Sequence, residues 1–460
     1  MYNKLLSILL KFAITISKGD ATLNIKVVKF GGSSLADAKQ FKKVADIIKA
    51  DSARRYVVPS APGKRFSEDT KVTDMLYACY DKAKAGDNIK VAFADIRERY
   101  NGIIAELGLS IDLTEEFDYI ESALKHQPGR DYAASRGEYL NGIILANYLG
   151  YAFIDAAKVI FFKDDGSFDS EKTNEILAEA LSQHERAVIP GFYGSMPNGT
   201  IKTFSRGGSD ITGSIVARAA RADIYENWTD VSGFLMADPR IVSNPKPIDV
   251  ITYKELRELS YMGAGVLHED AIFPVRFAGI PINIKNTNRP EDKGTMIVAS
   301  SDFYNYETII TGIAGKTGFS ILNIEKDMMN SEIGFGRKIL SVLEENKISF
   351  EHLPSGIDTM CVVISNSEIE NKKDAVLSAI CKAVNPDSIS LESGLALIAT
   401  VGRGMKSAKG TAARIFHAAA VKGVNIRMID QGSSELNVII GVDEKDYTRA
   451  IEAIYEEFVG

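Results

Sequence analysis

Residues 27–35 read Val27-Val28-Lys29-Phe30-Gly31-Gly32-Ser33-Ser34-Leu35. An apolar strand over residues 25–30 runs into a glycine pair, two serines and then a helical pattern. Phe41, Val44, Ala45 and Ile48 recur at i, i+3, i+4 and i+7, one face of a helix. Ser34 with Asp37 three positions later resembles a capping box. A glycine turn between strand and helix lets backbone N–H groups approach an anion, and the helix N-terminus adds partial positive charge. Lys29 places a full charge beside that turn. The spacing is not that of the GxxxxGK[ST] loop. Alone, KxGG is equally an ordinary βα turn with a surface lysine, so the rest of the chain must decide.

Outward from this stretch, residues 24–300 alternate strand and helix. Apolar strand patterns lie at residues 56–63, 151–156, 187–194, 222–228 and 281–286, with helical patterns between them. Such alternation indicates an α/β domain with a mostly parallel sheet. Residues 64–135 are charged and helical, and are expected as an insertion. From residue 307 the rhythm changes to strand (319–327), helix (336–347), two strands (349–356, 359–367), helix (372–384) and strand (388–393). That order is βαββαβ, a ferredoxin-like unit. It repeats from residue 395 to 458, one strand short, and residues 308–315 can supply the missing strand. Two units in one order form an internal repeat.

The chain has 460 residues, 45% hydrophobic and 25% charged, with a net charge of −7. Its length implies two or three domains, and its charge disfavours a nucleic-acid surface. Cys79, Cys361 and Cys381 are scattered, with no CxxC pair, which suits a reducing cytoplasm rather than a disulfide framework. The early apolar stretch is broken by Lys11 and is too short to span a bilayer. Residues 1–22 are read as an N-terminal extension, either a short extra helix or the product of an upstream start.

A second glycine pair, Phe204-Ser205-Arg206-Gly207-Gly208-Ser209-Asp210, also opens a helix. Arg206 offers a planar fork suited to a carboxylate. Asp210 can orient a lysine, or favour its own helix dipole. Trp228-Thr229-Asp230 follows a strand, where ligands bind in open α/β sheets, and Ala237-Asp238-Pro239-Arg240 comes next. Thr73 and Glu138 are single polar residues beside helical patterns. Gly312–Thr317 ends like a phosphate loop, but residue 310 is Ile and no helix follows, so it is set aside.

At this point KFGGSS, SRGGSD, WTDVSGF, ADPR and MGAGVLHED, in this order, closely resemble the signatures of the aspartate kinases of the amino-acid-kinase superfamily. The paired βαββαβ units look like that family's tandem ACT domains, and the resemblance covers residues 24–460. It implies a three-layer sandwich with a mostly parallel sheet over residues 23–302. A regulatory region would follow over 303–460, with a first ACT unit (317–394) nested between 307–316 and 395–460 of the second. The implied reaction is transfer of the γ-phosphoryl of Mg-ATP to the β-carboxylate of L-aspartate, the first step toward lysine, threonine and methionine, in the cytoplasm.

The resemblance assigns roles residue by residue. Lys29 stabilises the transferring phosphoryl group and Asp210 positions it. Gly31, Gly32 and Ser60 cradle phosphate through backbone N–H groups. Arg206 grips the α-carboxylate of aspartate and Glu138 its α-amino group, while Thr73 and Ser209 line that pocket. Thr229, Asp230, Asp238 and Arg240 hold ATP and its magnesium, and no metal set built from protein ligands alone is expected. Met329, Ser349, Phe350 and Glu351 match the effector segment of lysine-sensitive relatives, with lysine favoured over threonine. Pairing of ACT units implies a homodimer or tetramer, with no nucleic-acid or membrane partner. Two departures stand out. Gly265 occupies the position of a lysine that relatives direct toward ATP, and Leu235 that of a common tyrosine. Two rival readings stay open here: a non-catalytic amino-acid sensor on a kinase fold, and a kinase for another amino-acid acceptor.

Overall fold

The structure, a computed structural model, describes residues 24–126, 129–205, 207–264, 273–299 and 308–460. The apolar stretch at 25–30 becomes β1 (Lys26–Phe30), which pairs in parallel with β2 (Arg54–Pro59). Beyond β2 lie β4 (Ala187–Val188) and β3 (Ala152–Phe153). The hairpin β5 (Tyr193–Ser195) and β6 (Ile201–Thr203) stands apart. On the other side of β1 come β7 (Ile224–Thr229), β9 (Ile282–Asn286), β10 (Thr295–Val298) and β8 (Val250–Thr252). Within this eight-stranded sheet, only β9 with β10 is antiparallel.

Side-chain alternation explains the layers. Val27, Tyr56 and Val58 enter one core with Leu177, Ile211 and Ile215. Val28, Phe30 and Val57 enter the other with Phe41, Val44, Phe93 and Tyr100. Both faces are therefore covered by helices, giving the expected sandwich. Fully burying each such side chain contributes roughly 1.5–3 kcal/mol. Within residues 64–135 fall the helices Val72–Lys84, Lys90–Leu107 and Thr114–Lys125 and the start of Arg130–Leu149, all adding to the second core.

Residues 312–443 build a five-stranded antiparallel sheet in the order β12-β11-β13-β15-β14. These strands are β11 (Gly312–Glu325), β12 (Thr359–Ser365), β13 (Ser388–Val401), β14 (Ile426–Asp430) and β15 (Asn437–Asp443). Here the structure differs from the element boundaries read from sequence. The segments near 308–315 and 319–327 are not separate strands; both fall on β11, with a register irregularity between Lys316 and Phe319 and Gly318 at φ 89°. Likewise the stretches at 388–393 and 395–404 merge in β13, bent at Gly394. Glycines that look like strand breaks act as bends, because each adopts positive φ without a Cβ clash. Residues 349–356 make only isolated bridges, His352 with Val363 and Ser355 with Met360. Gly312–Thr317 lies within β11, which disposes of it as a phosphate loop.

This second sheet docks on the first. Ile313 N–H donates to the Met236 carbonyl at 2.7 Å, and Ile313, Leu397, Met236 and Leu259 share one core. No helix among the described residues is long and apolar enough to cross a membrane.

Candidate active site

The C-terminal ends of β1, β2 and β7 converge on one cleft. Gly31 N–H donates to the Trp228 carbonyl at 3.1 Å, which ties the turn after β1 to the end of β7. Residues Gly32–Leu35 then form a 3-10 turn, and the helix Ala38–Lys49 follows, capped by Asp37, whose side chain accepts from Gln40 N–H. Ser34 is therefore not the cap; it is buried and shares a 2.7 Å hydrogen bond with Thr287. The loop after β2 meets this turn backbone to backbone, with Gly63 N–H donating to the Gly32 carbonyl at 2.9 Å. A Cβ on Gly63 would fall 2.7 Å from the Gly32 carbonyl carbon, and one on Gly32 2.9 Å from the Ala61 carbonyl oxygen. Only glycine permits that approach.

The backbone donors are distributed differently from expectation. Gly31 N–H is engaged by Trp228, and Ser60 N–H donates to the Phe30 carbonyl at 3.0 Å. Neither is left for a phosphate. The N–H groups at the start of the 3-10 turn, those of Gly32 and Ser33, have no backbone acceptor among the described residues, as the geometry of a helix start requires.

Lys29 is 7% exposed, and its Nζ lies 2.6 Å from Asp210 Oδ1 and 3.4 Å from Asn227 Oδ1. Asn227 Nδ2 donates to the same Asp210 oxygen at 2.9 Å. Asp210 stands in the first turn of the helix Gly208–Ala219, entered through Gly207 in the left-handed conformation at φ 57°. A Cβ on Gly31 would sit 3.5 Å from Lys29 Nζ, so the ammonium adjoins the first glycine loop. The two glycine-pair segments thus meet at Lys29 and Asp210. Asn227 was missed in the sequence. The signal was there, since Glu226 and Asn227 are polar residues inside a central strand, where burial without function is uncommon.

Glu138, on the helix Arg130–Leu149, is 5% exposed. Burial pushes its carboxyl up to about 8, against the hydrogen bond from the Ala61 N–H, and its Oε2 has no partner. It lines a cleft of about 610 Å3 together with Gly31, Gly32, Ser60, Thr73, Thr229 and Asp230, and with the cations Lys64, Arg65 and Lys71. Ser209 packs against Gly191, where a Cβ would come within 2.6 Å of its Oγ. Arg206 and Gly265 lie outside the described residues. Asp238 and Arg240 are not among the residues that line this cleft. They pair with each other at 2.6 Å, and Arg240 is largely exposed. Their loop runs under the C-terminal helix, where Lys246 N–H donates to Tyr455 Oη at 2.8 Å. Leu235, two residues beyond Gly233, is partly exposed and bridges to Pro247.

Among the residues expected at an effector site, Met329 is buried and Ser349 and Phe350 are exposed. Glu351 accepts a hydrogen bond from Tyr261 Oη of the first sheet's last long helix. Glu332 is held by Lys326 and Lys338, each at 2.6 Å.

Comparison with known proteins gives the family and the fold. The sequence model of the Amino acid kinase family matches residues 24–286, and that of the ACT domain matches residues 398–458. The chain is 41% identical over 451 residues to Aspartokinase 3 of Bacillus subtilis (strain 168), covering 94% of this chain and 98% of that one. Its fold matches the crystal structure of Clostridium acetobutylicum aspartate kinase with a TM-score of 0.88 and 54% identity, over 95% and 99% of the two chains. E. coli aspartokinase III, solved with aspartate and ADP in its R-state, matches with a TM-score of 0.71 and 25% identity over 94% and 99% of the chains. Its T-state complex with lysine and aspartate matches with a TM-score of 0.72, again at 25% identity, over 95% and 100%.

Proposed function

This chain belongs to the aspartokinase family of amino acid kinases, ATP-dependent enzymes that phosphorylate a carboxyl group of aspartate and are regulated through ACT domains, and from that premise we propose how its cleft divides the work. The Gly32 and Ser33 N–H groups cradle phosphate oxygens. Lys29, fixed by Asp210 and Asn227, meets the charge of the transferring γ-phosphoryl. Thr229 and Asp230 hold the nucleotide side. Glu138 receives the α-ammonium of aspartate, Arg206 its α-carboxylate, and Thr73 and Ser209 line that pocket. A β-carboxylate oxygen then attacks the γ-phosphorus, the bond from that phosphorus to the β,γ-bridging oxygen breaks, and ADP leaves with 4-phospho-L-aspartate as the second product.

The chemistry requires no general base, since the acceptor carboxylate is already an anion at neutral pH. Two anions must instead be brought together, so the protein's contribution is positioning and cationic charge. Lys64, Arg65 and Lys71 extend that charge along the cleft wall. Mg2+ fits as a companion of the nucleotide. The cleft offers Asp230 as an exposed carboxylate, and Mg2+ is usually held by one or two carboxylates plus substrate phosphates. Bound there, it would neutralise phosphate charge.

The observation that carries the aspartate assignment is the buried Glu138 carboxyl with one oxygen unpartnered. A buried carboxylate needs a cation or a donor, and an amino-acid ammonium supplies both. ADP release with aspartate, glutamate, N-acetylglutamate and N-acetylaspartate as acceptors tests it. Aspartate should be strongly preferred, and N-acetylaspartate, whose nitrogen carries no charge, should fail. Equal turnover of N-acetylaspartate would remove Glu138 from this role, and preference for glutamate would move the substrate.

For regulation, lysine is the proposed effector, its ammonium directed to Glu351. E. coli aspartokinase III binds lysine in its T-state. A homodimer or tetramer through the regulatory region is supported by Met328, Ile333 and Ile357, which are 71%, 99% and 69% exposed close to one another in the chain's folding.

A further inference from the structure

Arg99 is anomalous. It sits on the helix Lys90–Leu107 in the same buried stripe as Ile96 and Ile103, at i−3 and i+4, with buried Tyr100 next to it in the chain, and is 7% exposed. Burying a guanidinium among apolar side chains is unfavourable unless its donors are used. Three of its five N–H donors are, Nε has no partner among the described residues, and the three acceptors lie on the two loops that form the cleft. Nη2 donates to the Ala36 carbonyl at 2.8 Å and to the Gly63 carbonyl at 2.8 Å. Nη1 donates to Asp69 Oδ2 at 2.8 Å.

Ala36 closes the 3-10 turn that begins with Gly32. Gly63 is the residue whose N–H binds the Gly32 carbonyl. Arg99 therefore closes a ring: Gly32 to Gly63 through the backbone, then Gly63 to Ala36 through one guanidinium nitrogen. The third arm reaches further. Asp69 also takes Arg65 through Nε at 2.8 Å, Nη2 at 3.0 Å and the backbone N–H at 2.9 Å. Arg65 lines the cleft. Its hydrogen bonds, then those of Arg99, hold the Asp69 carboxyl far below the usual carboxylate range.

We infer that Arg99 is a positioning residue for phosphoryl transfer: it fixes the separation of the Gly31–Ala36 and Ala61–Asp69 loops and, through Asp69, aims Arg65 along the cleft wall. It touches no reacting atom. Its fork cannot be replaced by an ammonium, which is a point charge without the planar geometry needed to join two carbonyls and a carboxylate. The inference rests on the assignment of the glycine loop to the nucleotide phosphates.

The test is steady-state kinetics of the full-length Arg99→Ala and Arg99→Lys variants, with thermal melts and with added guanidinium at tens of millimolar against a sodium control. A misplacement of about 1 Å lowers turnover about a hundredfold. Both variants should lose about that much kcat, with a raised KM for ATP, in protein that remains folded at the assay temperature. Guanidinium should restore part of kcat to Arg99→Ala, and sodium should not. If Arg99→Ala does not fold, Arg99→Lys decides on the same criteria. Wild-type kcat and KM for ATP in a folded variant would overturn the inference, as would a loss that only tracks the unfolded fraction and resists guanidinium. Failure of the underlying phosphate-loop assignment is distinguishable, because Lys29→Ala would then also leave the KM for ATP and kcat unchanged.

Discussion

Tyr261 donates its phenol to the carboxylate of Glu351, joining the last residue of the helix Tyr253–Tyr261 to the segment proposed for the effector. The same helix is tied to the second sheet elsewhere. Glu255 accepts from Thr311 Oγ1 at 2.6 Å and from Arg403 N–H at 3.1 Å, and Glu258 accepts from Asn437 at 2.6 Å. Burial and the Glu351 contact push the Tyr261 phenol up to about 12, so it stays protonated and donating. An incoming ammonium must compete with it.

Two variants follow from that competition. Glu351→Ala should retain basal activity and weaken lysine inhibition. Tyr261→Phe should free the carboxylate and move lysine inhibition to lower concentration by about tenfold, as expected for loss of a hydrogen bond to a charged group. Inhibition curves for lysine and threonine, separately and together, measure both. An unchanged curve in Glu351→Ala removes that residue from the effector site.

Glu138 gives a stability prediction with a defined sign. Its folded-state value of about 8 lies above the ordinary 4.5. The stability it confers is therefore fully present below about 4.5 and is lost as pH rises through about 8. Glu138→Gln mimics the protonated form. It should melt with wild type at pH near 5 and above it at pH near 9. Aspartate binding should be accompanied by proton release near neutral pH in wild type and not in the variant, read by calorimetry in buffers of different ionisation enthalpy.

The two contacting glycines supply a steric prediction. Gly63→Ala places a Cβ 2.7 Å from the Gly32 backbone, so the loops must separate. Turnover should fall by about a hundredfold. Gly102→Ala is the control: nothing lies within 4 Å of its added Cβ, and it stands inside the helix Lys90–Leu107. It should stabilise the protein by roughly 0.5–1 kcal/mol with activity intact. Equal kinetics for the two variants would contradict the loop contact.

Much of this was legible in the chain, for identifiable reasons. The alternation Val27, Val28, Phe30 sends residues to both faces of a sheet, which only a sandwich covers. The two glycine pairs beside Lys29 stood out as candidate anion-binding turns, because glycine turns before helices are local features. Gly31 and Ser60 were less legible as donors. Which backbone N–H is spent depends on β7 and on the Phe30 carbonyl, far off in sequence. Arg99, Asp69 and Tyr261 were illegible for the same reason, since their partners are 30 to 90 residues away. Asp238 and Arg240 were assigned to the nucleotide through the family resemblance alone, and their loop runs toward the C-terminal helix. Strand boundaries at Gly318 and Gly394 misled because a glycine bend and a glycine break look alike in sequence.

The most direct test of the two-loop site is ADP release by wild type and Lys29→Ala at saturating Mg-ATP and aspartate. Lys29 is held 2.6 Å from Asp210 where the two glycine segments meet, and loss of a preorganised charge of this kind lowers turnover by about 10²–10³-fold. We expect a folded Lys29→Ala protein with turnover reduced by at least that factor and Asp210→Asn impaired in the same direction. Turnover of folded Lys29→Ala within about tenfold of wild type would contradict the assignment of Lys29 to the transferring phosphoryl group.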